Sequence, residues 1–371
     1  MSGIYIHIPF CRQSCIYCNF YFKNGLKGSD ELMDALLNEI EMRFNGKFFV
    51  PSTLYFGGGT PSFVETHQIK RLIDKVKSTC QVDAFEELTL EANPDDMSEE
   101  KLKAWKAMGV TRLSVGVQSF YDEHLKWMNR AHNGNEAKQA LTLAQDLGFE
   151  LSLDIIFGIP NCDDHQLLKN LEIATSFNIQ HISCYGLTLE DNTPWKKLIL
   201  NKSYAQPDDE QTSRQFVLCM AYLTNKKWEH YEISNYAKPG KLAKHNTSYW
   251  QNKSYVGIGP SAHSYDGKTR SWNVADINAY VKAIQNKEVP EEVEVLSDVN
   301  RFNEYIMTGL RTKWGIDLNE LNQYGLNMEE FNVNLQAGIH KKQLEQVGEK
   351  VYLSQTGKLY ADAIASSLFI A

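Results

Sequence analysis

The sequence predicts an α/β fold, and three observations carry that reading. Between residues 3 and 228, β-rich runs alternate six times with amphipathic runs of helical period. The β-rich runs are apolar enough to be covered on both faces, as in "LSLDIIFG" (151–158). Strands separated by helices pair in parallel through crossover connections. The expected architecture is an incomplete β/α barrel or a doubly wound sheet.

The six units follow in order. "GIYIHI" (3–8) leads to "DELMDALLNEIEMRF", "STLYFGG" (52–58) to "THQIKRLIDKVKSTC", and "EELTLEAN" (86–93) to "SEEKLKAWKAMG". "RLSVGVQS" (112–119) leads to "NEAKQALTLAQDLG", "LSLDIIFG" to "HQLLKNLEIATSF", and "HISCYGLTLE" (181–190) to "QTSRQFVLCMAYLTNK". Residues 1–228 therefore read as one domain. From 229 to 298 the alternation fades into aromatic and Gly-rich sequence, "HYEISNYAKPGKLAKHNTSYW" and "SYVGIGPSAHSY", ending in an acidic stretch, "KEVPEEVEVLSD", that reads as a linker. Residues 299–371 read as short helices, then "EKVYLSQTGKLYADAIASSLF", a β-ribbon with a Gly turn and a helix: a small winged-helix-like domain.

Composition narrows the function classes. With 43% hydrophobic and 23% charged residues the chain is an ordinary globular protein with a large core. A net charge of -8 and no long basic run give no reason to expect nucleic acid. The tail has no strong basic face, so packing or partner docking is expected of it rather than DNA binding. No stretch approaches the roughly 18 to 20 apolar residues of a membrane span, and the start lacks a signal-peptide pattern, so a cytoplasmic location is expected. Seven cysteines do not make a disulfide framework. Cys80, Cys162, Cys184 and Cys219 are scattered in apolar contexts and read as small core residues.

The other three lie inside eight residues of "HIPFCRQSCIYCNF" (7–20): Cys11, Cys15 and Cys18. Thiolates hold zinc or iron–sulfur clusters. A closed zinc site takes four protein ligands, and His7 could supply the fourth. A [4Fe–4S] cluster normally takes four cysteines, one per iron, so three leave one iron open. An open iron can chelate a small molecule through an amine and a carboxylate.

"CRQSCIYC" resembles the cluster loop of the radical SAM superfamily, and its place after a first strand is similar too. "YIHIPFC", "YFGGGTPS", "EANPDD", "RLSVGVQSF", "LDIIFGIP" and the tail extend the resemblance over nearly the whole chain, to the oxygen-independent coproporphyrinogen oxidase group and its haem-chaperone relatives. The resemblance implies an incomplete (β/α)6 radical SAM barrel with a small C-terminal winged-helix-like domain. It implies a [4Fe–4S] cluster on Cys11, Cys15 and Cys18, with S-adenosylmethionine (SAM) on the open iron. To SAM it assigns Tyr5, Tyr17, Gly58, Gly59, Thr60, Glu91, Gln118, Arg130 and Asp154. The residues fit these roles. Glycines let backbone approach a ligand closely, Glu91, Gln118 and Asp154 lie on three successive strands whose C-terminal ends carry function in barrels, and Arg130 can pair with a carboxylate.

Two branches share this scaffold, and three features separate them. Coproporphyrinogen dehydrogenases carry a further cysteine two positions after the third, where this sequence has Phe20. They also carry an N-terminal extension, whereas the first cysteine here is residue 11. "HNTSYW" (245–250) resembles the HNxxYW signature of the haem-chaperone branch. That resemblance implies haem as cargo, handled by His245, Asn246, Tyr249 and Trp250, with apo haem proteins of the respiratory chain as recipients and a homodimer as the assembly. An imidazole is a common axial ligand of haem iron and aromatic rings pack on a porphyrin. The motif can equally be a turn with core aromatics, and His263 is a rival ligand. An oxidase that abstracts hydrogen from coproporphyrinogen III propionates, or another radical SAM enzyme, is the alternative.

Overall fold

The computed structural model describes residues 3–201 and 203–370. Strands β1 (Gly3–Ile8), β2 (Thr53–Gly58), β3 (Glu87–Ala92), β4 (Arg112–Gln118), β5 (Glu150–Phe157) and β6 (His181–Gly186) lie side by side in chain order, each parallel to the next. The main crossover helices are α1 (Ser29–Phe44), α2 (Thr66–Cys80), α3 (Glu99–Ala107), α4 (Gly134–Asp146) and α5 (Asp164–Ser176), and α6 (Asp209–Asn225) follows β6. Several start where the sequence supplies a cap: Ser98 accepts from the Lys101 amide, and Asn133 and Asp163 form capping boxes with Glu136 and Gln166.

The two faces of these strands differ in chemistry because side chains alternate with period two. One set, including Ile4, Ile6, Leu54, Phe56, Leu88, Leu90, Leu113, Val115, Leu151 and Leu153, is buried under the helices. The other set faces inward and is polar and aromatic: Tyr5 and His7 on β1, Tyr55 on β2, Glu87, Thr89 and Glu91 on β3, Ser114 on β4, Ser152 and Asp154 on β5. The strands therefore alternate apolar with polar or aromatic residues, and only the end of β5, "IIF", is apolar on both faces. Cys80, Cys162, Cys184 and Cys219 are buried, as read.

After residue 228 the structure departs from the sequence reading. The chain does not leave the sheet but extends it at both edges. β7 (Glu229–Glu232) and β8 (Asn235–Ala237) add antiparallel strands beyond β6, with β8 against it. On the other side β9 (Tyr255–Ile258) pairs in parallel with β1, and β10 (His263–Tyr265), β11 (Thr269–Asn273) and β12 (Glu291–Val295) continue antiparallel. The result is one twelve-stranded sheet, order β12-β11-β10-β9-β1-β2-β3-β4-β5-β6-β8-β7, mixed and open at two edges. The acidic stretch expected to be a linker contains the edge strand β12, whose Val293 and Val295 are exposed along with its glutamates, the charge guarding a free edge against pairing with another chain. "HNTSYW" is the body of a short helix, α7 (Lys244–Trp250).

Helix α8 (Ile277–Gln285) packs on α1. The tail has a separate core. Phe302, Ile306 and Leu310 of α9 (Asp298–Leu310) meet Phe331 and Leu335 of α10 (Glu329–His340), and a three-stranded sheet of β13 (Ile316–Asp317), β14 (Leu344–Val347) and β15 (Lys350–Leu353) closes it with α11 (Ala361–Ser367). Gly348, at φ 59°, makes the turn of the β14–β15 ribbon.

Candidate functional site

At the C-terminal ends of the six parallel strands lies a cavity of about 520 Å³ lined by Cys11, Cys15, Cys18, Gly58, Gly59, Thr60, Glu91, Gln118, Arg130 and Asp154. The loop carrying the cysteines follows β1 directly, and the glycine loop follows β2. Two backbone bonds weld them: the Gly59 amide donates to Ile8 (2.9 Å) and the Thr60 amide to Phe10 (2.7 Å). The weld needs glycine, since a Cβ at Gly59 would stand 2.9 Å from the Phe10 backbone, and Gly58 has φ 113°.

The three cysteines are half-buried free thiols. Among the described residues no three His, Cys, Asp or Glu side chains are placed to share one metal ion. His7 does not complete a zinc site, because its Nδ1 bonds the Tyr5 hydroxyl and its Nε2 the Tyr21 carbonyl, both at 3.1 Å. Three thiols that open to one cavity suit a cluster that takes one thiolate per iron. Burial pushes the Cys11 thiol up to about 11 against the lowering effect of the Thr60 hydroxyl, so iron would have to displace the proton on binding.

Arg130 holds one wall. Its Nη1 lies 3.3 Å from Cys15 Sγ, and its Nη2 donates to Asn93 Oδ1 and to the Gly116 carbonyl. Its buried Nε has no partner within the protein, a donor left over for a ligand. Glu91 accepts from the Tyr55 hydroxyl (2.8 Å) and the Gly58 amide (3.2 Å). Burial pushes Glu91 up to about 7 and Asp154 up to about 6. Gln118 ends β4 with φ 64°, where pairing with β5 slips. That backbone is costly for a non-glycine residue. The site thus offers one fixed cation, two carboxylates close to titration, amide groups and a glycine cradle, which suits a ligand bearing both an amine and a carboxylate.

The sequence-derived set is brought together here with one exception, and some residues were missed. Tyr17 lines the cavity, but Tyr5 is not among its lining residues and stands half-buried against Tyr55 and His7. Asn93 belongs to the site, donating to Thr60 Oγ1 (3.2 Å) while accepting from Arg130. It stands two positions after Glu91, so strand period alone could have found it. Tyr185 lines the cavity at the end of β6, where the strand-end rule also applies.

The residues of "HNTSYW" are elsewhere, at the base of the barrel. The His245 and Lys244 amides donate to the two Glu87 carboxylate oxygens, each at 2.9 Å. His245 is 0% exposed. Its Nδ1 bonds Thr53 Oγ1 (2.8 Å), its Nε2 bonds the Tyr249 hydroxyl (2.7 Å), and its ring stacks on Tyr55 at 5.0 Å. Burial pushes its pKa down to about 3, so it is neutral. The four residues expected to share one haem surface are therefore split: His245 has no free ring nitrogen, Asn246 is half-buried, and Tyr249 and Trp250 line a second cavity of about 350 Å³ with Tyr255, Tyr265, Arg270, Glu304 and Met307. His263 is exposed beside Trp272, outside both cavities.

The radical SAM superfamily matches residues 5–174. The heme chaperone HemW of Bacillus subtilis (strain 168) is 34% identical over 373 positions, covering 98% of each chain. The HemW of Escherichia coli (strain K12) is 37% identical, covering 70% of this chain and 69% of that one. Among solved structures, coproporphyrinogen III oxidase of Escherichia coli, a radical SAM enzyme, superposes with a TM-score of 0.86 at 21% identity over 99% of this chain and 89% of that one. At that identity the likeness speaks for the fold alone.

Proposed function

The chain belongs to the radical SAM superfamily and within it to the HemW family, and from that premise we propose that it is a cytoplasmic haem chaperone. It carries a [4Fe–4S] cluster on Cys11, Cys15 and Cys18 with SAM beside it, takes up haem, and passes it to apo haem proteins such as respiratory enzymes. The observation that carries this reading is the extent of the similarity. It runs through 98% of both chains in the Bacillus subtilis relative, so it takes in the HNTSYW helix and the C-terminal domain as well as the barrel.

When bound, the cluster supplies an open iron for SAM and an electron. The protein's own residues do the rest. Arg130, with its unpartnered Nε, pairs with the ligand carboxylate, Glu91 accepts from its amine, and the Gly58–Thr60 loop lies along its backbone. Tyr17, Gln118 and Asp154 complete the wall. Phe20, 68% exposed at the cavity, occupies the position where the oxidase branch has a further cysteine. For haem, Tyr249 and Trp250 supply ring faces to the second cavity. His245 stands behind Tyr249 and would reach an iron only after giving up a hydrogen bond.

The test is an anaerobic titration of cluster-reconstituted protein with haem, followed at the Soret band. A saturable, near-stoichiometric complex is expected, weakened in Trp250→Ala and unchanged in band position in His245→Ala. A protein with no saturable haem binding would sink the chaperone reading and favour an enzyme, detectable by substrate-dependent 5′-deoxyadenosine.

A further inference from the structure

The buried His245 raises a question that haem ligation does not answer: what a neutral, fully enclosed imidazole does beneath the cavity. Strand β3 connects the two ends of the barrel. Glu87, Thr89 and Glu91 point the same way by strand period. Glu87, at the base, clamps the start of α7 through two backbone amides. Glu91, at the top, faces the cavity.

Between them stands Tyr55. Its ring stacks on His245 at the base side, 5.0 Å and 25° apart, and its hydroxyl donates to Glu91 Oε1 at 2.8 Å. His245 in turn cannot rotate, because Thr53 and Tyr249 hold both nitrogens. The column has no slack at either end. A Cβ on Gly3 would stand 2.8 Å from Thr53 Oγ1 and 2.9 Å from His245 Cε1, and a Cβ on Gly57 would stand 2.9 Å from Glu91 Oε1 and from the Tyr5 and Tyr55 rings. Close-packed interiors transmit displacement rather than absorb it.

We infer that His245 is a positioning residue of the SAM site: it fixes the Tyr55 ring, and Tyr55 fixes the Glu91 carboxylate that receives the ligand amine. The inference rests on the assignment of Glu91 to SAM. It makes His245 a support beneath the SAM cavity, two residues removed from the ligand, while Tyr249 and Trp250 face the second cavity.

The experiment measures SAM affinity of the cluster-reconstituted protein by equilibrium dialysis, with the electron paramagnetic resonance shift of the reduced cluster on SAM addition and the haem titration run in parallel. Tyr55→Phe keeps the stacking and removes only the hydroxyl. His245→Gln keeps a polar group and removes the ring. Each is expected to weaken SAM binding about ten-fold, the scale of one hydrogen bond to a charged group. The double variant is expected to be no weaker than the weaker single, because both act through one carboxylate. Since His245→Gln carries a folding risk, Thr53→Val, which removes the hydroxyl that holds His245 Nδ1, takes its place if the histidine variant melts early. Wild-type SAM affinity in a folded Tyr55→Phe protein, or strictly additive losses, would overturn the inference and leave the SAM site itself standing. Wild-type protein that gives no cluster shift with SAM would overturn both.

Discussion

Glu91 lines the cavity at a place where burial disfavours its charge, and it is the carboxylate we assign to the ligand amine. Its pKa rises from 4.5 to about 7, with desolvation the largest cause and the Tyr55 and Gly58 hydrogen bonds opposing it. Between those two values the folded protein holds more protons than the unfolded chain, so the free energy of unfolding falls as pH rises through that window. Asp154, raised from 3.8 to about 6, acts with the same sign over a lower window. Glu91→Gln removes its share. The melting temperature of the SAM-free variant, relative to wild type, should therefore climb as pH goes from 5 to 7.5, and a difference independent of pH would contradict the assignment. Ligand binding carries the opposite sign: SAM affinity of the wild type should fall below about pH 7 as the acceptor is protonated. At this scale the cysteines and strand-end acids were legible, because spacing and strand period put them in one place. His245 was not. Its burial arises from a helix docking under the starts of β1, β2 and β3, residues far apart in sequence, and nothing local in "HNTSYW" distinguishes an enclosed imidazole from an exposed one.

Two loops act as one element at the cavity. The amides of Gly59 and Thr60 donate to the carbonyls of Ile8 and Phe10, and Thr60 Oγ1 reaches to 3.5 Å from Cys11 Sγ. The backbone that cradles the ligand therefore also holds the first cysteine in place. Gly59→Ala would put a methyl group 2.9 Å from the Phe10 amide and carbonyl. It should open this seam and lower iron retained per chain after reconstitution and desalting, before any effect on thermal stability. Retention at the wild-type level would show that the loops can separate without cost. The elements that sequence revealed and those it hid differ in a physical way. β1 to β6 carry a regular apolar set facing the helices and are separated by amphipathic helices of ordinary length, so periodicity and length found all six. β7 to β12 are short strands of three to five residues, all but the parallel β1–β9 contact paired antiparallel, with mixed aromatic and charged content. In "EEVEV" both valines are exposed, so no buried face marks the segment as a strand and its charge reads as a linker.

The barrel and the tail have separate cores but share a seam. Ile233 and Lys313 exchange backbone bonds with Arg311 and Tyr231, at 3.0 and 2.9 Å, around a Glu232–Thr312 bridge. The second cavity lies on the same side, its walls divided between α7 with its neighbouring strands and the α9 residues Glu304, Met307 and Thr308. The SAM cavity draws nothing from the tail. Damage to the tail's core should therefore separate the two ligands. Phe331, 1% exposed and edge-on to Phe302, is the lever: its truncation to alanine costs about 3 to 5 kcal/mol when the site cannot collapse. In Phe331→Ala, amide exchange should rise across residues 298–368 while the cluster's absorbance and SAM affinity hold at wild-type values. Haem affinity should fall, because α9 no longer presents a fixed wall to Tyr249 and Trp250. Loss of iron together with tail protection would instead mean that the chain unfolds as one unit. Haem affinity untouched by a loosened tail would place the cargo away from the second cavity.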